Sequence, residues 1–129
     1  MASVEAHIDV RVPVTAAYDA WTRFDELPRF MDGVDEVRQL DETHLLWRAS
    51  YDGTGTEWTC EVLEQRPEER IAWRSTSGMT HGGVVSFLRL ADDVTRVMIM
   101  AEVASEAAVF VTPRVRDALA GFKAMIEAP

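Results

Sequence analysis

Few side chains in this sequence have the type and placing needed for chemistry. Tyr51, Ser75, His81, Arg89 and Glu64 are the polar groups able to polarise a carbonyl or move a proton near an apolar interior. Tyr51 falls in register with Trp47 along one strand, and Ser75 with Trp73 along another, so both are expected to project inward. Glu64 and Arg89 are inward by the same alternation but near strand ends. His81 lies in a Gly-flanked stretch, Ser77 to Gly83, that reads as a flexible loop able to cover a cavity mouth. These four candidates for catalysis, Tyr51, Ser75, His81 and Arg89, form no acid–base pair in sequence. Cys60 is the only cysteine and sits between Trp58 and Val62 without an adjacent base, so it reads as a buried, inert thiol. His7 and His44 fall on the wet faces of their strands, and no two-His metal spacing exists, so no metal is expected. There is no Gly-rich phosphate loop, no nucleophile elbow and no HExxH.

Composition narrows the classes further. The chain has 129 residues, with 13 Lys and Arg against 22 Asp and Glu, a net charge of −9. The only lysine is Lys123 and the arginines are scattered, which argues against nucleic acid and against an anionic membrane surface. With 47% hydrophobic residues the chain is an ordinary folding sequence, expected to form one domain over 1–129. No apolar run approaches a membrane span, and Met1 to Val10 alternates charged and apolar residues rather than resembling a signal peptide. A cytoplasmic location is expected, and no intrachain disulfide is possible with one cysteine.

The elements that must position these residues follow from periodicity. Val4 to Val12 alternates strictly, apolar on one face and Glu5, His7, Asp9 and Arg11 on the other, which predicts a half-buried strand. Pro13 ends it and starts a helix to Phe24, with Val14, Ala17, Tyr18, Trp21 and Phe24 on one stripe. A second short helix, Asp25 to Met31, carries Leu27, Phe30 and Met31. Period two then returns, predicting strands near 34–41, 43–51, 56–66, 70–77, 82–90 and 95–103. Tight turns at Asp41-Glu42, Asp52 to Gly55, Pro67 to Glu69 and Asp92-Asp93 imply antiparallel hairpins. Thr112 as cap and Pro113 as first residue predict a last helix over 113–127, with 104–111 as a loop or extra turn. Its stripe is Val115, Ala118, Leu119, Phe122, Met125 and Ile126.

The order is strand, two short helices, six strands, long helix, an α+β arrangement. The dry face of the sheet carries Leu45, Trp47, Ala49, Tyr51, Trp58, Cys60, Val62, Ile71, Trp73, Ser75, Val85, Phe87, Val97, Ile99, Ala101 and Val103. The long helix has the matching stripe and is expected to close that face. Large aromatics as walls, with Ala49, Ser75, Ala101, Ala118 and Gly121 leaving room, predict an internal apolar cavity; a core filled by the tryptophans is the alternative.

Several motifs resemble one family. Val12-Pro13-Val14, Tyr18-x-x-Trp21, Leu27-Pro28-Arg29-Phe30-Met31 and Gly33-Val34 resemble the start of polyketide cyclase/dehydrase-type proteins of the START/Bet v 1-like (SRPBCC) superfamily. Glu57-Trp58, Glu64-Gln65, the run Glu69 to Ser75, Thr95-Arg96-Val97, Phe122-Lys123 and Ile126-Glu127 extend the resemblance along nearly the whole chain. The resemblance implies a helix-grip fold: a seven-stranded antiparallel curved sheet around a long C-terminal helix, with two short helices between strands 1 and 2. It also implies a deep apolar cavity. Members bind lipids, sterols, quinones, polyketides or plant hormones, and some are aromatase/cyclases.

The function expected is binding of a hydrophobic or aromatic small molecule, with Phe30, Trp47, Tyr51, Trp58, Trp73, Ser75, Phe87, Ile99, Leu119 and Phe122 as binding residues and no cofactor. The alternative is a polyketide aromatase/cyclase or dehydratase that uses polar groups in the cavity. Edge strands, and Met98 and Met100 on the outer face, leave monomer and homodimer both open.

Overall fold

The structure, a computed structural model, describes residues 2–51, 53–77 and 81–128. Strand β1 (Ala2–Val10) leads into helix α1 (Val14–Thr22) and a 3-10 helix (Phe24–Arg29). Six strands follow: β2 (Val34–Gln39), β3 (His44–Tyr51), β4 (Thr54–Arg66), β5 (Arg70–Ser77), β6 (His81–Ala91) and β7 (Val94–Val103). Helix α2 (Ala108–Ile126) closes the chain after a 3-10 turn, Ser105–Ala107. The seven strands form one sheet in the order β1-β7-β6-β5-β4-β3-β2. Every neighbouring pair is antiparallel. β1 and β2 lie at opposite edges because α1 and the 3-10 helix carry the chain from one edge to the other.

The alternation puts the dry face where expected, with Leu45, Cys60, Ile71, Val85, Ile99 and Val103 buried along it. The wet face carries cross-strand ion pairs, Arg48 with Glu57 at 2.9 Å and Arg74 with Glu61 at 2.9 Å. A third joins Arg96 to Asp9 at 2.8 Å. Exposed pairs like these set register more than they add stability. β1 ends at Val10 rather than Val12 because the next groups leave the ladder. The Arg11 N–H donates to Glu127 Oε2 at 2.8 Å, and the Val12 carbonyl accepts from Thr95 Oγ1 at 2.9 Å. Lys123 Nζ donates to the Asp9 carbonyl at 2.8 Å and to Glu127 Oε2 at 2.6 Å. Lys123 and Glu127 thus fasten α2 to β1, and Lys123 with the Arg11 N–H holds the Glu127 carboxyl below its usual range.

Three expectations are corrected. The last helix begins at Ala108, not Pro113. Thr112 is no cap: its Oγ1 donates back to the Ala108 carbonyl at 2.7 Å, as an interior helical threonine does. Pro113 removes one N–H near the helix start, where the Val109 side chain is 86% exposed and solvent is close by. The helix therefore starts five residues earlier and adds Phe110 and Val111 to its inner face. Second, His81, Gly82 and Gly83 are strand, not loop: His81 pairs with Val103, and Gly83 with Ala101 and Trp73. Of the rest of the expected loop, Ser77 ends β5 and Gly78-Met79-Thr80 lies outside the described residues, as does Asp52 of the β3–β4 turn.

Third, Glu64 does not face inward. The register of β4 on β5 shifts between Val62 and Glu64. One extra residue reverses the phase of a strand. Leu63, outward by plain alternation, is 55% exposed, and Glu64 consequently lies on the wet face too, with Arg70 and Arg66 at 2.5 and 3.0 Å. Arg89 keeps inward parity opposite Thr95 but sits near the end of β6, where its side chain is exposed and pairs with Asp92.

Candidate functional site

A cavity of about 210 Å3 lies between the dry face of the sheet, α1 with the 3-10 helix, and the first half of α2. All four tryptophans of the chain line it: Trp21, Trp47, Trp58 and Trp73. Each is held by a different device. Trp47 and Trp58 are directly paired across β3 and β4 and stack with ring centroids 5.7 Å apart. Trp47 Nε1 donates to Cys60 Sγ at 3.2 Å, which satisfies the indole without water. Trp73 rests on Gly83, where a Cβ would come within 2.9 Å of its ring. Trp21 belongs to a packed cluster with Phe30 and Phe122, at 5.1 and 4.9 Å. Ala101 and Ala118 line the space where larger side chains would fill it.

The rim is more polar. Tyr51, at the end of β3, meets Phe110 of α2 edge to face at 5.2 Å. Its ring fits there because Gly33 has no side chain: a Cβ at Gly33 would lie 2.4 Å from Tyr51 Cε1. Gly33 also has φ +88°, a left-handed conformation that favours glycine. Burial pushes the Tyr51 phenol up, with the Arg114 charge opposing, so it remains protonated near neutral pH. Burial likewise raises the Cys60 thiol, which disfavours the nucleophilic thiolate. His81 lines the cavity and meets Trp58 edge to face at 6.2 Å.

The structure brings Trp47, Tyr51, Trp58, Trp73, Ile99 and His81 together around this space. Others named from the sequence lie elsewhere. Phe30, Leu119 and Phe122 are in the packed core beneath α2. Phe87 packs on Tyr18 at 5.4 Å. Ser75 turns its hydroxyl to the Ser77 carbonyl at 3.0 Å, and Arg89 turns to Asp92. Sequence reasoning missed Phe110 because it left 104–111 out of the helix, and missed Arg114 because a charged residue beside an apolar helical stripe reads as solvent-facing. It placed Trp21, Phe24 and Leu27 on helical stripes without assigning them to the cavity; their i, i+3 spacing is the same for a core stripe and a cavity wall.

Among the described residues no group of three or more His, Cys, Asp or Glu could hold a metal ion. No helix among them is long and apolar enough to cross a membrane.

Comparison with known proteins agrees with this architecture. An uncharacterized 17.2 kDa protein of Streptomyces lincolnensis is 41% identical over 120 residues, covering 92% of this chain and 78% of its own. A START superfamily protein from Mycobacterium smegmatis superposes with a TM-score of 0.86 at 10% identity, covering 97% of both chains. The Zhui aromatase/cyclase from Streptomyces sp. R1128 superposes with a TM-score of 0.80 at 12% identity, covering 98% of this chain and 93% of its own. At those identities the two structures speak to the fold alone, which is the helix-grip arrangement implied by the sequence resemblance. Residues 10–121 match the family described as polyketide cyclase / dehydrase and lipid transport, and the chain belongs to that family.

Proposed function

We propose that this protein binds a hydrophobic or aromatic small molecule of lipid, quinone or polyketide-like character in the cavity between sheet and C-terminal helix. It does so as a monomer or homodimer, without nucleic acid. The observation that carries this reading is the cavity itself: about 210 Å3, walled by four tryptophans and left open by two alanines. An apolar void of about 150 Å3 already takes up benzene, so this one suits one or two fused rings or a short folded chain. Burying about 200 Å2 of ligand carbon contributes roughly 5 kcal/mol before association costs. Carbon alone therefore gives weak binding, and the polar rim decides affinity.

An aromatase/cyclase or dehydratase is the second reading. It is favoured by the protonated Tyr51 phenol at the rim, a hydrogen-bond donor for a ligand carbonyl. It is weakened by Ser75 and Arg89, whose side chains turn to other partners. Native mass spectrometry after incubation with decanoate, a naphthoquinone and an aromatic polyketide tests both. One-to-one adducts are expected with at least one of the three. Replacing Ala118 by Phe fills the cavity and should abolish them in a variant that keeps the wild-type circular dichroism spectrum. A bound polyketide lighter by one water would mark the enzyme. Absence of any adduct with the wild-type protein would contradict the binding reading.

A further inference from the structure

We propose that the cavity's guest carries an anionic oxygen group, a carboxylate or an ionised enol or phenol, seated on the Arg114 guanidinium between Tyr51 and Phe110. This rests on the reading of the cavity as a ligand site. Arg114 lines the cavity from α2, with its guanidinium carbon 3.5 Å from the Phe110 ring centroid and 4.6 Å from that of Tyr51. Its Nη1 donates to the Phe110 carbonyl at 2.8 Å. Its Nε is buried and has no hydrogen-bond partner.

Among the described residues Arg114 is the one arginine with a buried N–H that lacks an acceptor. Acidic residues outnumber basic ones 22 to 13, and Arg48, Arg70, Arg74 and Arg96 each pair with a carboxylate. Arg114 pairs with none among the described residues. Asp32, the carboxylate that also lines the cavity, is solvent-exposed and makes no ion pair with it. A guanidinium has five N–H donors and does not deprotonate, so its charge persists at every working pH. The two rings hold the guanidinium in place and the Phe110 carbonyl takes one Nη1–H, which leaves the Nε–H unmatched. Beside an apolar wall, such a fork discriminates strongly between an oxyanion and a neutral group of the same shape. A purely hydrocarbon guest would leave the cation uncompensated. A ring or chain ending in one anionic oxygen group satisfies both the tryptophan walls and the fork.

The test uses two probes of one shape, 2-naphthoate and neutral 2-acetylnaphthalene, titrated calorimetrically into the intact protein at low salt. The wild-type protein should bind naphthoate about tenfold more tightly. In Arg114→Gln that preference should vanish: naphthoate weakens about tenfold, while acetylnaphthalene stays within about twofold. Arg114→Lys, which keeps charge without the fork, should retain part of the preference. Equal wild-type affinities, or equal weakening of both probes in Arg114→Gln, would overturn the anion seat and leave the cavity reading intact. Binding of neither probe to the wild-type protein would overturn the cavity reading itself. The wild-type ratio decides the matter even if a variant fails to fold.

Discussion

Replacing Phe122 by alanine is expected to destabilise the protein by about 3–5 kcal/mol. Phe122 is 0% exposed and forms a three-ring cluster with Trp21 at 4.9 Å and Phe30 at 5.1 Å. Trp21 and Phe30 close the triangle at 5.1 Å. The three rings come from α2, α1 and the end of the 3-10 helix, so the cluster is what holds the helical layer together above the sheet. Edge-to-face contacts add about 0.5–1.5 kcal/mol each beyond the area they bury. Because Trp21 also walls the cavity, ligand binding should weaken along with stability. Urea unfolding followed by far-ultraviolet circular dichroism measures the first effect. A loss below about 1 kcal/mol would mean that the cluster is not the packed joint described here.

Replacing Gly121 by alanine is expected to destabilise as well, by roughly 1–3 kcal/mol, although helix propensity alone predicts a gain of up to about 1 kcal/mol. The sign reverses because of one close approach. A Cβ at Gly121 would lie 2.3 Å from the Phe30 carbonyl oxygen and 3.2 Å from its carbonyl carbon. These are backbone atoms, so the 3-10 helix would have to move away from α2, and the aromatic cluster with it. The midpoint of the same urea transition reads the outcome. A higher midpoint for Gly121→Ala would contradict the packing of α2 against residue 30.

The sheet was legible because its signal is local and repeated. Trp47, Ala49 and Tyr51, or Trp58, Cys60 and Val62, reveal their face by alternation alone, and the turns between strands are short and polar. What stayed hidden depends on single residues answering to distant partners. The phase reversal at Leu63 is set by how β4 lies on β5, and nothing in Val62-Leu63-Glu64 marks it. The start of α2 was obscured by Pro113, which reads as a first helical residue but is tolerated five residues in. That displacement removed Phe110 from view, and Arg114, though inside the expected helix, carries a charge that marks solvent rather than a cavity wall. Gly121 looked like a defect in a helix, or space for a guest, and is the socket for a carbonyl. Of the ten expected binding residues five line the cavity, four are packed in the core and Ser75 turns away, because period and hydrophobicity mark a buried face without marking where side chains stop filling it.

The central claim is that the space among the tryptophans admits a guest. Since all four tryptophans line that space, the intrinsic fluorescence of the protein reports on it directly. Titration with menadione, a bicyclic quinone that quenches indole on contact, is the most direct measurement, corrected for absorbance and repeated in Ala118→Phe. The account predicts quenching that saturates at one menadione per chain and is lost in the filled variant. Quenching that rises linearly without saturation, and equally in both proteins, would contradict it.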